Sequence, residues 1–299
     1  MSAADVARLL TLAALWGGSF AFMRVAVGAL GPLWLAASRV ALAFLALYLL
    51  ALARRNVPML RERWRDYLVI GIINTALPFA LFSYAAQYVA ASTAAILNAT
   101  SPFFATIIAA FWLKDHVTPA KVAGMVLGIG GVTLLVGWQP EPLTTEKLVA
   151  IVACLVAALC YGIASVYAKA RLTGLPSFAI ALYSQMAAMI VLVPALPFAP
   201  LPVSITPLVA VNVLALAVAS TAVAYLLYFR LIATIGPARA LTVTFLIPLF
   251  GVLWGFLFLD EKIGASTLAA CALIVCGTWL AVRNVPPVPA RRTADSTSP

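Results

Sequence analysis

Long apolar runs separated by short polar joints are the governing pattern of this chain. Runs of about twenty apolar residues recur near 6–27, 33–53, 67–88, 92–113, 118–137, 147–168, 178–197, 206–229, 238–259 and 265–283. A hydrocarbon layer of about 30 Å is crossed by roughly 20 helical residues. Water cannot satisfy backbone groups there, so each crossing must close its own hydrogen bonds. The runs are rich in Leu, Ala, Ile and Gly and lack the alternation of a membrane barrel strand. The pattern predicts an all-α integral membrane protein with ten transmembrane helices.

The same sentence is written twice. Residues 85–136 read AAQYVAASTAAILNATSPFFATIIAAFWLKDHVTPAKVAGMVLGIGGVTLLV, and residues 231–282 read LIATIGPARALTVTFLIPLFGVLWGFLFLDEKIGASTLAACALIVCGTWLAV. At an offset of 146, Pro102 meets Pro248, Asp115 meets Glu261 and Gly131 meets Gly277. Upstream, Trp16-Gly17 with Arg24 matches Tyr161-Gly162 with Lys169, and Ser38-Arg39 matches Ser184-Gln185. A repeat of this length fixes the architecture. Residues 1–140 form a first five-helix half, 141–283 a second, and 284–299 a polar tail. Five spans is an odd number, so the second half enters the bilayer inverted, a common build for secondary transporters. The tail, rich in Pro, Ser, Thr and Arg, lacks the apolar content to pack and is expected to be disordered.

Charge orients this bundle. With the N-terminus in the cytoplasm, only Arg24, Lys147 and Lys262 fall outside, and every other Lys and Arg except Arg39 falls inside. Positive residues favour the cytoplasmic side, so both termini are expected there. The formal charge of +10 is thereby explained by topology, with no basic stripe for nucleic acid. The first span matches the sixth in the repeat, so it is expected to be retained and not cleaved as a signal peptide.

Composition excludes other classes. Apolar residues make up 65% and charged residues 9%, against about a quarter charged in soluble domains. The four cysteines sit in apolar runs as packing residues. No phosphate loop, HExxH or Ser-His-Asp arrangement is present. The chain reads as a non-enzyme with no cofactor and no metal. All acidic residues lie in joints, tails or span ends, so no carboxylate stands mid-membrane to carry protons. Solute is expected to run down its gradient or to couple through another group.

The candidate chemistry is polar residues inside the spans. Arg39 is the one charge within a run. It either faces a cavity and clamps a carboxylate, or snorkels outward or caps carbonyls of a neighbouring helix. Its partner in the repeat is the uncharged Gln185. Pro102 and Pro248 sit near the centres of helices four and nine, with Pro78 in helix three. Proline removes a helical donor and frees carbonyls, so these three are hinge candidates. Asn98 and Ser101 precede Pro102, Thr242 and Thr244 precede Pro248, and Asn74 lies one turn before Pro78. Trp16, Ser19, Phe20 and Met23 share one face of helix one, with Tyr161 and Ser165 on the matching face of helix six. Taken singly, each is explained as helix packing. Taken together, they outline a cavity for a small amphipathic solute. Tyr84, Tyr88, Trp34, Trp112, Trp138 and Tyr228 lie near span ends and read as interfacial belts. The pairs Gly124/Gly128 and Gly251/Gly255 allow close helix contact within the monomer, the expected state, with a dimer as the alternative.

These segments carry a resemblance. The opening LWGGSFAFMRVAV with Pro32 and Arg39, the AASTAAILNATSPFFATIIAAFWLKD segment with its echo GPARALTVTFLIPLFGVLWGFLFLDEKIG, and the GMVLGIGGVTLLV and AACALIVCGTWL helices resemble the EamA family of the drug/metabolite transporter superfamily. The resemblance spans residues 8–283. It implies two inverted five-helix halves around a central cavity in the bacterial inner membrane. It implies export of a small metabolite, foremost a bulky or aromatic amino acid, by alternating access. The alternatives are a nucleoside, sugar derivative or organic cation as solute, or a membrane scaffold without transport. The implied partners are lipid and a small solute. A phosphate-bearing solute would need more intramembrane positive charge than Arg39. The intramembrane glutamate of small multidrug pumps in the same superfamily is missing here.

Overall fold

The computed structural model describes residues 1–58, 60, 63–137, 143–235, 240 and 242–282. Trp138, Arg239 and the tail from Arg283 lie outside the described residues. The described residues contain helices and no strand. Eight helices are long and apolar enough to cross a membrane: α1 (Ala3–Leu30), α2 (Pro32–Ala53), α3 (Trp64–Ala85), α4 (Ala91–Trp112), α5 (Pro119–Gly137), α6 (Thr145–Arg171), α7 (Ser177–Phe198) and α8 (Pro207–Ile232). Two shorter apolar helices follow, α9 (Val243–Leu259) and α10 (Ala265–Val282). The chain is a multi-pass membrane protein.

Local chemistry sets the ends. α1 starts three residues earlier than its apolar run because Ser2 and Asp5 cap it reciprocally. Its last turn closes on Gly31, whose φ of 75° reverses the chain, and Pro32 opens α2, where a missing N–H costs nothing. Asp66 in the first turn of α3 ties three partners: Arg63 at 3.3 Å, Arg171 at 3.7 Å and the Tyr167 hydroxyl at 2.7 Å. That joins the start of α3 to the end of α6.

Two helices widen at matching places. α3 contains a π-helical turn at Ile72–Ala76, and α8 contains one at Ala215–Val223. At the 146-residue offset the first falls wholly inside the second. Pro78 stands just after the α3 turn, so its missing donor is absorbed by the altered bonding there.

Pro102 departs from the mid-helix placement expected of it. α4 is two helices, Ala91–Asn98 and Ser101–Trp112, and Pro102 lies in the first turn of the second. The carbonyls at the break are met by hydroxyls. Thr100 Oγ1 donates to Leu97 O at 2.7 Å, Ser101 Oγ to Asn98 O at 2.6 Å, and Thr278 Oγ1 of α10 to Ala99 O at 2.9 Å. Pro248 does lie inside its helix, α9, as expected.

Glycines set the closest approaches, and these too recur. A Cβ on Gly17 of α1 would stand 2.7 Å from Phe250 Cβ of α9, and one on Gly162 of α6 would stand 2.7 Å from Phe104 Cβ of α4. Gly17 and Gly162 correspond in the repeat, as do Phe104 and Phe250. α5 and α10 pack closely on each other, with Gly124 against the Gly277 carbonyl and Gly131 against Ile274. Cys154, Cys160 and Cys271 are buried as packing residues, whereas Cys276 is exposed on the outer face of α10.

Candidate solute site

Arg39 is held inside the bundle. Its residue is 5% exposed, and its guanidinium carbon lies 3.5 Å from the centroid of the Phe79 ring. Nε donates to Thr221 Oγ1 at 3.1 Å, and Nη1 contacts Met23 Sδ at 3.7 Å. The side chain neither snorkels to an interface nor caps a helix carbonyl. Thr221 itself donates to Leu216 O at 2.9 Å, five residues back. The π turn of α8 supplies that spacing, leaving an oxygen lone pair for Arg39. A guanidinium carries five N–H donors, and the Nη2 pair meets no acceptor among the described residues. On insertion scales a charge at the centre of a span costs about 2.5–3.5 kcal/mol, so a buried arginine inside an apolar span points to use.

A cluster of aromatic rings lies in the same part of the bundle. Trp16 meets Tyr225 edge-on at 6.4 Å and Tyr228 at 5.4 Å. Phe82 meets Phe20 edge-on at 5.3 Å and Tyr161 at 6.2 Å. Asn74 Nδ2 donates to the Tyr225 hydroxyl at 3.4 Å. Tyr161 and Tyr225 both stand near Arg39. Tyr228, half-buried near the end of α8, packs on Trp16. The pairs are related: Trp16 corresponds to Tyr161 and Phe82 to Tyr228, so one ring contact is made once by each half.

Several buried polar atoms have no protein partner: Thr75 Oγ1, Asn98 Oδ1, Ser220 Oγ, Trp34 Nε1 and both amide atoms of Gln185. Such groups are rare in native interiors and mark water, ligand or strain. Gln185 is fully buried on α7, which packs on the π turn of α3 that carries Thr75. Gln185 and Thr75 are the repeat counterparts of Arg39 and Thr221. The hydrogen bond made on one side is unmade on the other.

The sequence candidates divide accordingly. Trp16, Phe20, Met23, Arg39, Asn74 and Tyr161 come together. Gln185 is buried with both amide atoms unpartnered, and half-buried Asn98 keeps an unpartnered Oδ1. Ser19 turns back to Trp16 O at 2.6 Å, Ser101 is spent on the α4 break, and Ser165 is exposed and bonded to Gly162 O at 2.8 Å. Thr242 stands at the start of α9, with Thr244 in its first turn. Sequence reading missed Phe79, Phe82, Thr221 and Tyr225, although the repeat offset carries Thr75 and Phe79 onto Thr221 and Tyr225. A separate groove of about 290 Å³ is lined by Leu249, Val252, Leu253, Phe256, Ile263, Leu268 and Cys271. It is apolar, lies on the exposed face of α9 and α10, and suits lipid.

This arrangement has known relatives. Residues 6–137 and 148–283 match the EamA-like transporter family, and the chain belongs to that family. It is similar to a probable terminal-alkyne amino-acid exporter of Streptantibioticus cattleyicolor, 28% identical over 278 residues, covering 90% of each chain. It is also similar to an S-adenosylmethionine/S-adenosylhomocysteine transporter of Chlamydia muridarum, 27% identical over 281 residues, covering 89% of this chain and 87% of that one. One crystal structure superposes with a TM-score of 0.63 at 21% identity, over 95% of this chain and 98% of the other, which establishes likeness of fold. The protein is a membrane transporter.

Proposed function

We propose that this transporter exports amino acids or close amino-acid derivatives across the bacterial inner membrane by alternating access. Ten helices cross the bilayer as two inverted five-helix halves, residues 1–140 and 141–283, with both termini cytoplasmic. The protein works as a monomer. The solute binds between the halves, against Trp16, Phe20, Phe82, Tyr161 and Tyr225, with Asn74, Asn98 and Gln185 as neutral polar contacts. Pro78 and Pro248 are hinge points, and the α4 break before Pro102 is a third.

The observation that carries this reading is the doubled contact. Trp16 on Tyr228 and Tyr161 on Phe82 repeat one ring pairing between the halves. Gly17 against Phe250 and Gly162 against Phe104 repeat one backbone approach. Halves built to make matching contacts can exchange conformations, which supplies the two states of similar energy that alternating access requires. Both relatives are described as carriers of solutes that contain an α-amino acid group, which supports the solute class. Counterflow of a radiolabelled amino-acid panel through liposomes holding purified protein tests the function. Saturable exchange of an amino acid is the expected result, and it persists without a pH gradient. Absence of exchange for every amino acid in the panel overturns the reading.

A further inference from the structure

We propose that the Arg39 guanidinium receives one carboxylate of the transported solute, and that the site reads this carboxylate and not an amino group; the proposal rests on the carrier reading above. The guanidinium is positive at any physiological pH. Its described neighbours are all neutral: the Phe79 ring, the Thr221 hydroxyl and the Met23 sulfur. Phe79 covers one face and Thr221 holds the Nε edge. The edge bearing Nη2 is left with free N–H groups. A carboxylate meets such a planar fork with two parallel hydrogen bonds. One positive charge balances one negative charge, so a doubly charged phosphate ester would stay half neutralised.

No equivalent receptor exists for an ammonium among the described residues. Asp66 is occupied by Arg63, Arg171 and Tyr167. Glu261 is occupied by Ala91 and Ser92, Asp115 by Lys169, and Asp5 by Ser2, Arg8 and Thr234. Glu146 and Asp260 stand at helix ends. The unpartnered acceptors Gln185 Oε1 and Asn98 Oδ1 are neutral amides. The repeat places Gln185 where Arg39 would have its twin, so the site is polarised, with its cationic end at α2.

The test uses three matched probes: L-phenylalanine, 3-phenylpropanoate without the amine, and L-phenylalaninamide without the carboxylate. The same trio built on leucine is run beside it. Thermal shifts of the detergent-purified full chain give apparent affinities. The two carboxylates are expected to bind within about threefold of each other, and the amide at least about tenfold more weakly, the usual worth of hydrogen bonds to a charged group. Arg39→Gln abolishes this preference, and Arg39→Lys, which keeps the charge, retains part of it. Arg39→Lys also covers the case of an Arg39→Gln variant that does not fold: its preference is expected to fall below that of the unaltered chain, and an undiminished preference there overturns the proposal. Amide binding equal to carboxylate binding in both trios, no shift from any carboxylate, or a preference that survives Arg39→Gln overturns the proposal. Counterflow of the same probes separates the two claims. Carboxylate-selective binding without flux sinks the carrier reading alone, whereas flux of amide and carboxylate at equal rates sinks the carboxylate site alone.

Discussion

Glu261 closes the first turn of α4 through Ser92, a residue 169 positions away in the chain. Its Oε2 accepts from Ser92 N at 3.1 Å and from Ser92 Oγ at 2.5 Å, while Oε1 accepts from Ala91 N at 2.6 Å. A carboxylate at a helix N-terminus meets both orphan donors and the positive end of the dipole. The loop after α9 is thereby fastened to the start of α4. Glu261→Gln keeps the shape but loses the charge and one acceptor. It is expected to cost about 1–2 kcal/mol, read as a lower apparent melting temperature in detergent. Ser92→Ala is expected to cost less, because both backbone bonds remain.

Gln185 is expected to trade stability for function. Both of its amide atoms are buried without partners, and each such group costs about 1–3 kcal/mol. Gln185→Leu fills the same space without that penalty, so the melting temperature is expected to rise. If the amide meets solute, amino-acid counterflow falls in the same variant. A stability loss together with unchanged flux would mark Gln185 as a structural residue.

Two glycines fifteen residues or fewer from their helix starts should behave oppositely on adding one methyl. A Cβ at Gly277 of α10 would lie 2.5 Å from the Gly124 carbonyl and 3.0 Å from Gly128 N. Backbone cannot yield as a flexible side chain does, so Gly277→Ala is expected to cost about 1–3 kcal/mol and to lower folded yield. Gly130 of α5 is exposed, with nothing within 4 Å of its added methyl. Gly130→Ala is expected to be neutral or slightly stabilising by about 1 kcal/mol or less.

The break in α4 is held by hydroxyls and not by proline alone. Thr278→Val leaves the buried Ala99 carbonyl without its 2.9 Å partner, at an expected cost of about 1–3 kcal/mol. Pro102→Ala, in a first turn, is expected to cost less than that and to leave the break in place. Thermal unfolding of the two variants side by side reads the order. A larger loss for Pro102→Ala would restore the proline as the cause of the break.

How far the sequence could reach follows from the range of each interaction. Helix positions were readable because burial in lipid demands a long apolar run, and the repeat was readable because landmarks such as Pro102 and Pro248 keep their offset. The α4 break was not, since Asn98, Ser101 and Pro102 are equally compatible with a kinked continuous helix. The Thr278 hydroxyl, 179 positions from Ala99, joins the local Thr100 and Ser101 hydroxyls in holding two pieces. The π turns leave no local mark in an apolar run. Arg39 was legible as an anomaly, but its environment was not, because Thr221 lies 182 positions away. The contact of Tyr228 with Trp16 on another helix leaves no local mark either.

The arrangement of two halves facing opposite ways is tested most directly by which side of the membrane two exposed joints occupy. Single cysteines placed at Asn56, after α2, and at Leu143, before α6, on a background lacking the four native cysteines, are labelled in intact cells with a membrane-impermeant maleimide. Leu143→Cys is expected to react, and Asn56→Cys to react only after the membrane is opened. Labelling of both positions from the same side would contradict the inverted pair of halves.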